Sequence, residues 1–142
     1  MGFLIDTGIW VTIERGALAP ADVHAVTKTA PIFISPVTIA ELQYGAEMAA
    51  NAGIRQKRLM AIRRLKRKPM LRIDNETGEV FGTLAAQLAH KRGHDFRVQD
   101  LWMAAQAVQH AYRLLTFNAK DFQDIPGLDL VPMPIPPPHP QS

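Results

Sequence analysis

Four carboxylates of the 142-residue sequence stand at positions where they could form one metal site: Asp6, Glu41, Asp100 and Asp121. Asp6 interrupts an otherwise apolar run, and Asp100 precedes a segment that is rich in alanine and other apolar residues. Carboxylate oxygens are the hard ligands that Mg²⁺ and Mn²⁺ prefer, and a bound cation can activate water for hydrolysis. The four acids therefore predict a site for metal-assisted hydrolysis, provided that the fold brings them together.

Each of these acids also has a purely structural interpretation. Asp6 and Asp100 could cap helices, because a short carboxylate accepts hydrogen bonds from free backbone N–H groups. Thr38 and Glu41 match the capping-box spacing, and Asp121 could end a turn. Four carboxylates at one place would repel one another by about 3 kcal/mol per pair at about 5 Å. A fold keeps such a cluster mainly when a cation occupies it, which favours the metal site over four unrelated caps.

The elements that must position the acids follow from the apolar pattern. Short apolar runs predict strands at residues 3–5, 31–35, 70–73, 113–116 and 128–131. Helical spacing predicts four helices. They cover residues 36 to about 46, the Lys- and Arg-rich segment that stops at Pro69, residues 77–92 and residues 101–112. This alternation predicts an α/β fold, with a mostly parallel central sheet flanked by helices. In such a sheet the acids that follow strands reach the same carboxyl edge, and Asp100 can join them from a helix start.

Composition limits the class of protein. The chain is 47% apolar and 20% charged, as in an ordinary globular domain, and we expect one domain over residues 1–132. The proline-rich residues 133–142 are expected to form an extended or disordered tail. Cysteine is absent, which excludes disulfides and cysteine zinc sites, and no apolar run could span a bilayer. A cytoplasmic location is the resulting expectation.

Histidine does not offer a convincing alternative metal site. His90 and His94 have the spacing of a helical metal pair, but Gly93 is expected to end the helix between them. No third ligand is evident in the sequence.

A cluster of basic residues predicts an electrostatic surface for phosphates. Eight of the sixteen Lys and Arg residues lie between positions 55 and 68: Arg55, Lys57, Arg58, Arg63, Arg64, Lys66, Arg67 and Lys68. Apolar residues interleave with them, which predicts a packed amphipathic helix rather than a disordered arm. A solvated helix face is the alternative, but clustered cations also gain affinity for nucleic acid by releasing counterions.

Four ordered motifs resemble those of VapC-type PIN-domain toxins. They are LIDT at residues 4–7, SPVTIAELQYG at 35–45, DLWMAA at 100–105 and TFNAKDF at 116–122, with IPGL following at 125–128. The resemblance covers Leu4 to about Val131. It implies a PIN-domain fold, Mg²⁺ or Mn²⁺ as cofactor and endoribonuclease activity on RNA that inhibits translation. It also implies a homodimer that a VapB-type antitoxin holds inactive in a toxin–antitoxin hetero-oligomer.

The resemblance also implies a role for each acid. Asp6 and Asp100 would be the principal metal ligands, Glu41 would ligate the metal or orient its water, and Asp121 would complete the pocket. Gly8 departs from the pattern, because family members usually carry Ser or Asn there. Asp95 and Asp124 lie near the proposed acids but outside the motif positions.

Three aromatic residues are candidates for contact with nucleic-acid bases. Trp10, Tyr44 and Trp102 could stack on bases, although large aromatics beside apolar neighbours more often pack in a core or interface.

Two alternative functions remain open at this point: a non-catalytic RNA-binding or regulatory PIN module, and an enzyme that acts on small phosphorylated substrates.

Overall fold

The computed structural model describes residues 1–93 and 95–136. Within those ranges four strands are β1 (Phe3–Ile5), β2 (Ile32–Phe33), β3 (Arg113–Thr116) and β4 (Asp129–Pro132). The α-helices of the same ranges are α1 (Thr7–Glu14), α2 (Pro20–Thr27), α3 (Pro36–Glu47), α4 (Ala52–Leu65), α5 (Asn75–Arg92) and α6 (Val98–His110). None of the helices in the described ranges has the length and apolar character needed to cross a membrane.

The four strands form one parallel sheet in the order β2-β1-β3-β4. Leu4 of β1 lies in register with Phe33 of β2 on one side and with Leu114 of β3 on the other. The chain moves outward from β1 to β2, then returns and continues from β3 to β4 on the opposite side. The gap between the carboxyl ends of β1 and β3 is therefore the switch point at which ligands bind in open α/β sheets.

Two layers of helices cover the sheet because strand side chains alternate between its faces. Leu4 and Leu114 pack with residues of α3, α5 and α6, whereas Ile5 and Leu115 pack with residues of α1, α2 and α4. These four strand side chains have no exposed surface. Burying each contributes roughly 2 kcal/mol, which fixes the strands whose ends carry the site. The expected fold class, a mostly parallel sheet flanked by helices, is confirmed.

The predicted strand at residues 70–73 is wrong. Met70 makes only an isolated parallel bridge with Ile34, and no ladder continues from it. The reason is a competing side chain, because Gln106 Nε2 donates to the Leu71 carbonyl oxygen at 2.7 Å. The strand at 31–35 is likewise shorter than predicted, since only Ile32–Phe33 belong to β2.

Helix α2 has no counterpart among the predicted elements. Pro20 occupies its first turn, and of its eight residues only Val23 and Thr27 are buried. A helix with so few buried positions gives little apolar periodicity for a sequence pattern to detect.

Met133, the first residue after the expected domain boundary at 132, packs against the domain. Met133 is 5% exposed and packs beside Leu115, and its backbone N–H donates to the Thr116 carbonyl oxygen at 2.7 Å. The division into a domain and a proline-rich tail stays a prediction, because residues 137–142 lie outside the described ranges.

Candidate active site

Asp6 lies at the switch point, directly after β1 and at the N-cap of α1. Its Oδ1 accepts from the Thr7 backbone N–H at 2.8 Å, and its Oδ2 accepts from the Thr116 hydroxyl at 2.7 Å. The side chain is almost fully buried, and this burial raises the pKa of Asp6, partly offset by those two hydrogen bonds. The capping interpretation is thus correct for one oxygen, while the other is held from β3.

Glu41 reaches the same region from α3. The expected capping box does not form, because Pro36 takes the first helical position and Ser35 becomes the N-cap, accepting from the Val37 N–H at 3.0 Å. Thr38 is instead buried within the helix. The Thr7 hydroxyl donates to Glu41 Oε1 at 2.9 Å, which ties this carboxylate to α1.

Asp100 lies in the first turn of α6, where Arg97 is the N-cap residue and makes no side-chain capping bond. Burial raises the pKa of Asp100 to about 6. The charges of Asp6, Asp121 and Glu41 raise it further, whereas the charge of Arg97 lowers it. Asp100 and Asp121 line one cavity, and Glu41 lies beside Arg97 of the same cavity, so these acids lie in the same region, which we call the acidic cleft.

Asp121 enters from the segment after β3. It ends a short 3-10 helix, Ala119–Asp121, and its N–H donates to the Asn118 carbonyl oxygen at 3.0 Å. Its exposed side chain lines a cavity of about 290 Å³ together with Asp100 and Arg97. Asp121 thus ends a turn and lines a cavity beside Asp100, and its role in a metal pocket stays a prediction.

Arg97 is the residue of the cleft that the sequence did not single out. Its Nη2 lies 3.7 Å from Glu41 Oε2, and its charge lowers the pKa of both Asp6 and Asp100. The only signal in the sequence is its position three residues before Asp100, which puts it at the same helix start.

The donors of the cleft suit a hard divalent cation, since all four are carboxylates and their repulsion contributes to the raised pKa of Asp100. Their spacing is looser than a closed metal cage. Within residues 1–93 and 95–136, no three His, Cys, Asp or Glu side chains lie close enough together to hold an ion in this conformation. The charges of these acids affect the pKa of Asp100, but three of the acids could share one ion only after their side chains move.

The eight basic residues of the 55–68 cluster are all exposed, but they face different surroundings. Lys57, Arg58 and Arg64 line a groove of about 510 Å³ that also contains Thr7 and Glu41. We call this surface the basic groove. It joins the cation-rich side of α4 to the acidic cleft.

The other five basic residues do not line the basic groove. Arg55 pairs with Glu47 at 2.8 Å, and Lys68 lies 5.6 Å from the centre of the Trp10 ring. Arg63, Lys66 and Arg67 are exposed away from it. The structure thus divides the predicted phosphate surface into two parts.

The secondary acidic candidates are less well placed. Arg92 holds Asp124 through both carboxylate oxygens, which lowers the pKa of Asp124. Asp95 lines the same cavity as Asp100.

Two of the three aromatic candidates pack against other apolar side chains, Trp10 buried and Trp102 partly buried. Trp10 is 4% exposed, and Trp102 stacks on Phe81 with ring centres 4.1 Å apart. Tyr44 is 69% exposed and is the one of the three that is free to contact a base.

Gly8 is not required by the packing around it. A Cβ added there would meet Phe117 Cδ2 at 3.7 Å, which is an ordinary van der Waals contact. Gly93 ends α5 as expected with a positive φ of 68°, and His94 lies outside the described residues.

A parallel α/β sheet with an acidic cleft at its switch point defines the structural class. Residues 3–128 match the family model of the PIN domain, so the chain belongs to the PIN-domain family. This match agrees with the resemblance of the four motifs to those of VapC-type PIN-domain toxins.

Relatives and a solved structure extend the comparison. The chain is 31% identical to Ribonuclease VapC1 of Rickettsia felis over 92% of this chain and 96% of that protein. It is 29% identical to Ribonuclease VapC of Rickettsia bellii over 95% of this chain and 98% of that protein. The structure of VapBC2 from Rickettsia felis, bound to a DNA fragment from their promoter, contains a chain that superimposes with a TM-score of 0.77 at 25% identity. That superposition covers 93% of this chain and 98% of the other.

Proposed function

We propose that this protein is a metal-dependent endoribonuclease and the toxin of a type II toxin–antitoxin pair, hydrolysing RNA phosphodiester bonds and so inhibiting translation. One observation carries the proposal: Asp100 and Asp121 line one cavity with Arg97, which approaches Glu41, and Thr7 links Glu41 to the start of α1 directly after Asp6. The curated relatives named Ribonuclease VapC support the same conclusion.

The four acids have different roles in this proposal. Asp6 and Asp100 are the principal ligands of Mg²⁺ or Mn²⁺ in this proposal. Asp6 is held by two hydrogen bonds, and the charges of the other three acids all act on Asp100. Glu41 ligates the ion or orients its water, and Asp121 completes the pocket. A bound divalent cation supplies an activated water and neutralises charge that develops on the phosphate. Thr7 and Thr116 hold Glu41 and Asp6 in position.

The basic groove gives a route for the RNA backbone to the acids. Three cations of the 55–68 cluster that line it, Lys57, Arg58 and Arg64, would bind phosphates without reading the base sequence, with Arg64 exchanging its pair with Glu14 for a phosphate. Exposed Tyr44 offers a surface on which a base can stack.

The central experiment measures cleavage of labelled single-stranded RNA by the purified protein with Mg²⁺, with Mn²⁺ and with chelator. Asp6→Asn should remove cleavage, and Asp129→Asn is the matched control because Asp129 is an exposed acid at the start of β4. Cleavage that survives chelator or Asp6→Asn contradicts the proposed site. RNA binding without cleavage in any divalent cation would instead identify a non-catalytic PIN module.

A second experiment tests the groove with two variants that remove the same amount of charge. The groove triple changes Lys57, Arg58 and Arg64 to Gln, and the control triple changes Arg63, Lys66 and Arg67 to Gln. Removing one cation that binds a phosphate lowers the slope of RNA affinity against salt concentration by about one unit on logarithmic axes. We expect the groove triple to reduce both RNA affinity and that slope more than the control triple does. Equal effects of the two triples would show that only overall charge matters.

The assembly proposal follows from the family. The solved relatives are VapBC complexes, which supports a VapB-type antitoxin as partner of this chain, and we further propose a homodimer. Co-expression with the antitoxin should relieve growth arrest, and light scattering of the purified protein measures the subunit number. A chain that is harmless when expressed alone would contradict the toxin assignment.

A further inference from the structure

Two arginines line the cavity that contains Asp100 and Asp121, and only one of them is held in place. Arg92 donates to both carboxylate oxygens of Asp124 and also to the Asp121 carbonyl oxygen. Arg97 instead lies 3.7 Å from Glu41, beyond ordinary hydrogen-bond length, and its side chain is 64% exposed. Exposed ion pairs of this kind are weak, so the Arg97 guanidinium can change partners at little cost.

Glu41 does not depend on Arg97 for its position. The Thr7 hydroxyl holds Oε1 at 2.9 Å, whereas Arg97 approaches Oε2. One oxygen of the carboxylate is therefore fixed by α1, and the other faces a mobile cation. Departure of Arg97 would leave Glu41 oriented and its Oε2 available.

Arg97 also lies where an anion must arrive. Glu41 lines the basic groove, and Asp100 and Asp121 line the smaller cavity. Arg97 lines that cavity and approaches Glu41, so its guanidinium lies near acids of both the cavity and the groove. A phosphodiester that approaches four carboxylates needs a compensating positive charge. The planar guanidinium matches two phosphate oxygens at once, which an ammonium group cannot do.

We propose that Arg97 is the phosphate-binding residue of the cleft: it pairs with Glu41 while the cleft holds no cation, and it binds two oxygens of the scissile phosphate once Glu41 binds a cation. This inference rests on the proposed ribonuclease function and assigns the residue that brings the substrate to the acids.

The test uses Arg97→Gln and Arg97→Lys in the full chain, with Arg113→Gln as the matched control. Arg113 is also exposed and also makes a single ion pair, with Asp129 at 3.3 Å, but it begins β3 at the opposite end of the strand from the acids. Mn²⁺ affinity is measured without RNA by electron paramagnetic resonance. Cleavage of a labelled single-stranded RNA is measured under single-turnover conditions at saturating Mn²⁺.

The two measurements should move in opposite directions. Arg97→Gln should tighten Mn²⁺ binding by up to about tenfold, because a positive charge beside the acids is gone. The same variant should slow cleavage on the order of a hundredfold, the usual effect of losing one donor to a reacting oxygen. Arg97→Lys should restore the Mn²⁺ affinity of the unaltered protein but only part of the cleavage rate, and Arg113→Gln should change neither.

Other outcomes overturn the inference. Cleavage by Arg97→Gln at the rate of the unaltered protein, with Mn²⁺ saturating, means that Arg97 does not bind the phosphate. Unchanged or weaker Mn²⁺ binding means that it does not balance the acids. Should Arg97→Gln fold poorly, full cleavage by Arg97→Lys would equally refute a bidentate phosphate contact. If the unaltered protein cleaves no RNA with any divalent cation, the proposed function itself fails, which is a distinct result.

Discussion

Asp100→Asn should stabilise the metal-free protein at neutral pH while removing its metal-dependent activity. The pKa of Asp100 rises from its ordinary value of 3.8 to about 6 in the folded protein, because burial and the neighbouring acids disfavour its charge. The folded state therefore holds the proton more tightly than the unfolded state does. Stability from this group is complete below about pH 4 and is lost as the pH rises through about 6. Asparagine does not ionise, so the Asp100→Asn variant does not lose this stability as the pH rises.

The size of the effect follows from the shift. About two pKa units correspond to about 3 kcal/mol for a group shielded from solvent. Asp100 is only partly buried, so screening reduces the value to about 1.5 kcal/mol. A helix start favours a carboxylate by about 0.5 kcal/mol, which leaves a gain of about 1 kcal/mol. In a domain of this size that gain raises the melting temperature by about 2–4 °C.

The assay is thermal unfolding in chelator at about pH 7.5 and at about pH 4, followed by circular dichroism. Asp129→Asn serves as the control, because that acid is exposed and its single pair with Arg113 contributes little. The gain of Asp100→Asn should be present at the higher pH and absent at the lower. An equal melting temperature for variant and parent at the higher pH, or a gain that persists at the lower pH, would refute the electrostatic account of the cleft.

Three further substitutions test single side chains: two lie at or beside the acids and the third is buried in α2. Thr116→Val removes the donor to Asp6 Oδ2 and should cost about 1.5–3 kcal/mol of unfolding free energy and weaken Mn²⁺ binding; a loss under about 0.5 kcal/mol in denaturant titration would contradict this. Thr27→Val should instead gain about 1 kcal/mol in the same titration, because the buried Thr27 hydroxyl has no hydrogen-bond partner within the described residues; a loss would mean that the hydroxyl is satisfied. Gly8→Ser should raise stability by about 0.5 kcal/mol through helix propensity and leave the fold intact, since its Cβ fits beside Phe117; a loss of stability would show that this contact is too tight.

Local sequence patterns predicted the parts of the fold that local physics decides. The apolar runs that became β1 and β3 are short, largely buried and followed by polar residues, so both their position and their carboxyl ends could be read directly. The prediction that Asp6, Glu41 and Asp121 converge followed from parallel strand topology. Their ordered motifs then supplied the family.

The remaining features depend on contacts between distant residues. The capping box at Thr38 failed because Pro36 moved the start of the helix to Ser35. The strand at 70–73 failed because Gln106, from α6, took a carbonyl that a neighbouring strand would need. Arg97 went unnoticed because a lone arginine acquires meaning only when the fold sets it beside Glu41.

The pairing of β1 with β3 has a consequence for how the protein is made. Asp6 and its hydrogen-bond donor Thr116 are 110 residues apart, and the Asp6 backbone N–H donates to the Leu115 carbonyl oxygen at 3.0 Å. A ribosome delivers β1 well before β3, and parallel pairing of distant segments is slow. The contact between Asp6 and Thr116 and the strand pairing beside it therefore form only after β3 has been translated. A chain truncated before β3 would keep Asp6 but lack the Thr116 hydroxyl that holds its Oδ2.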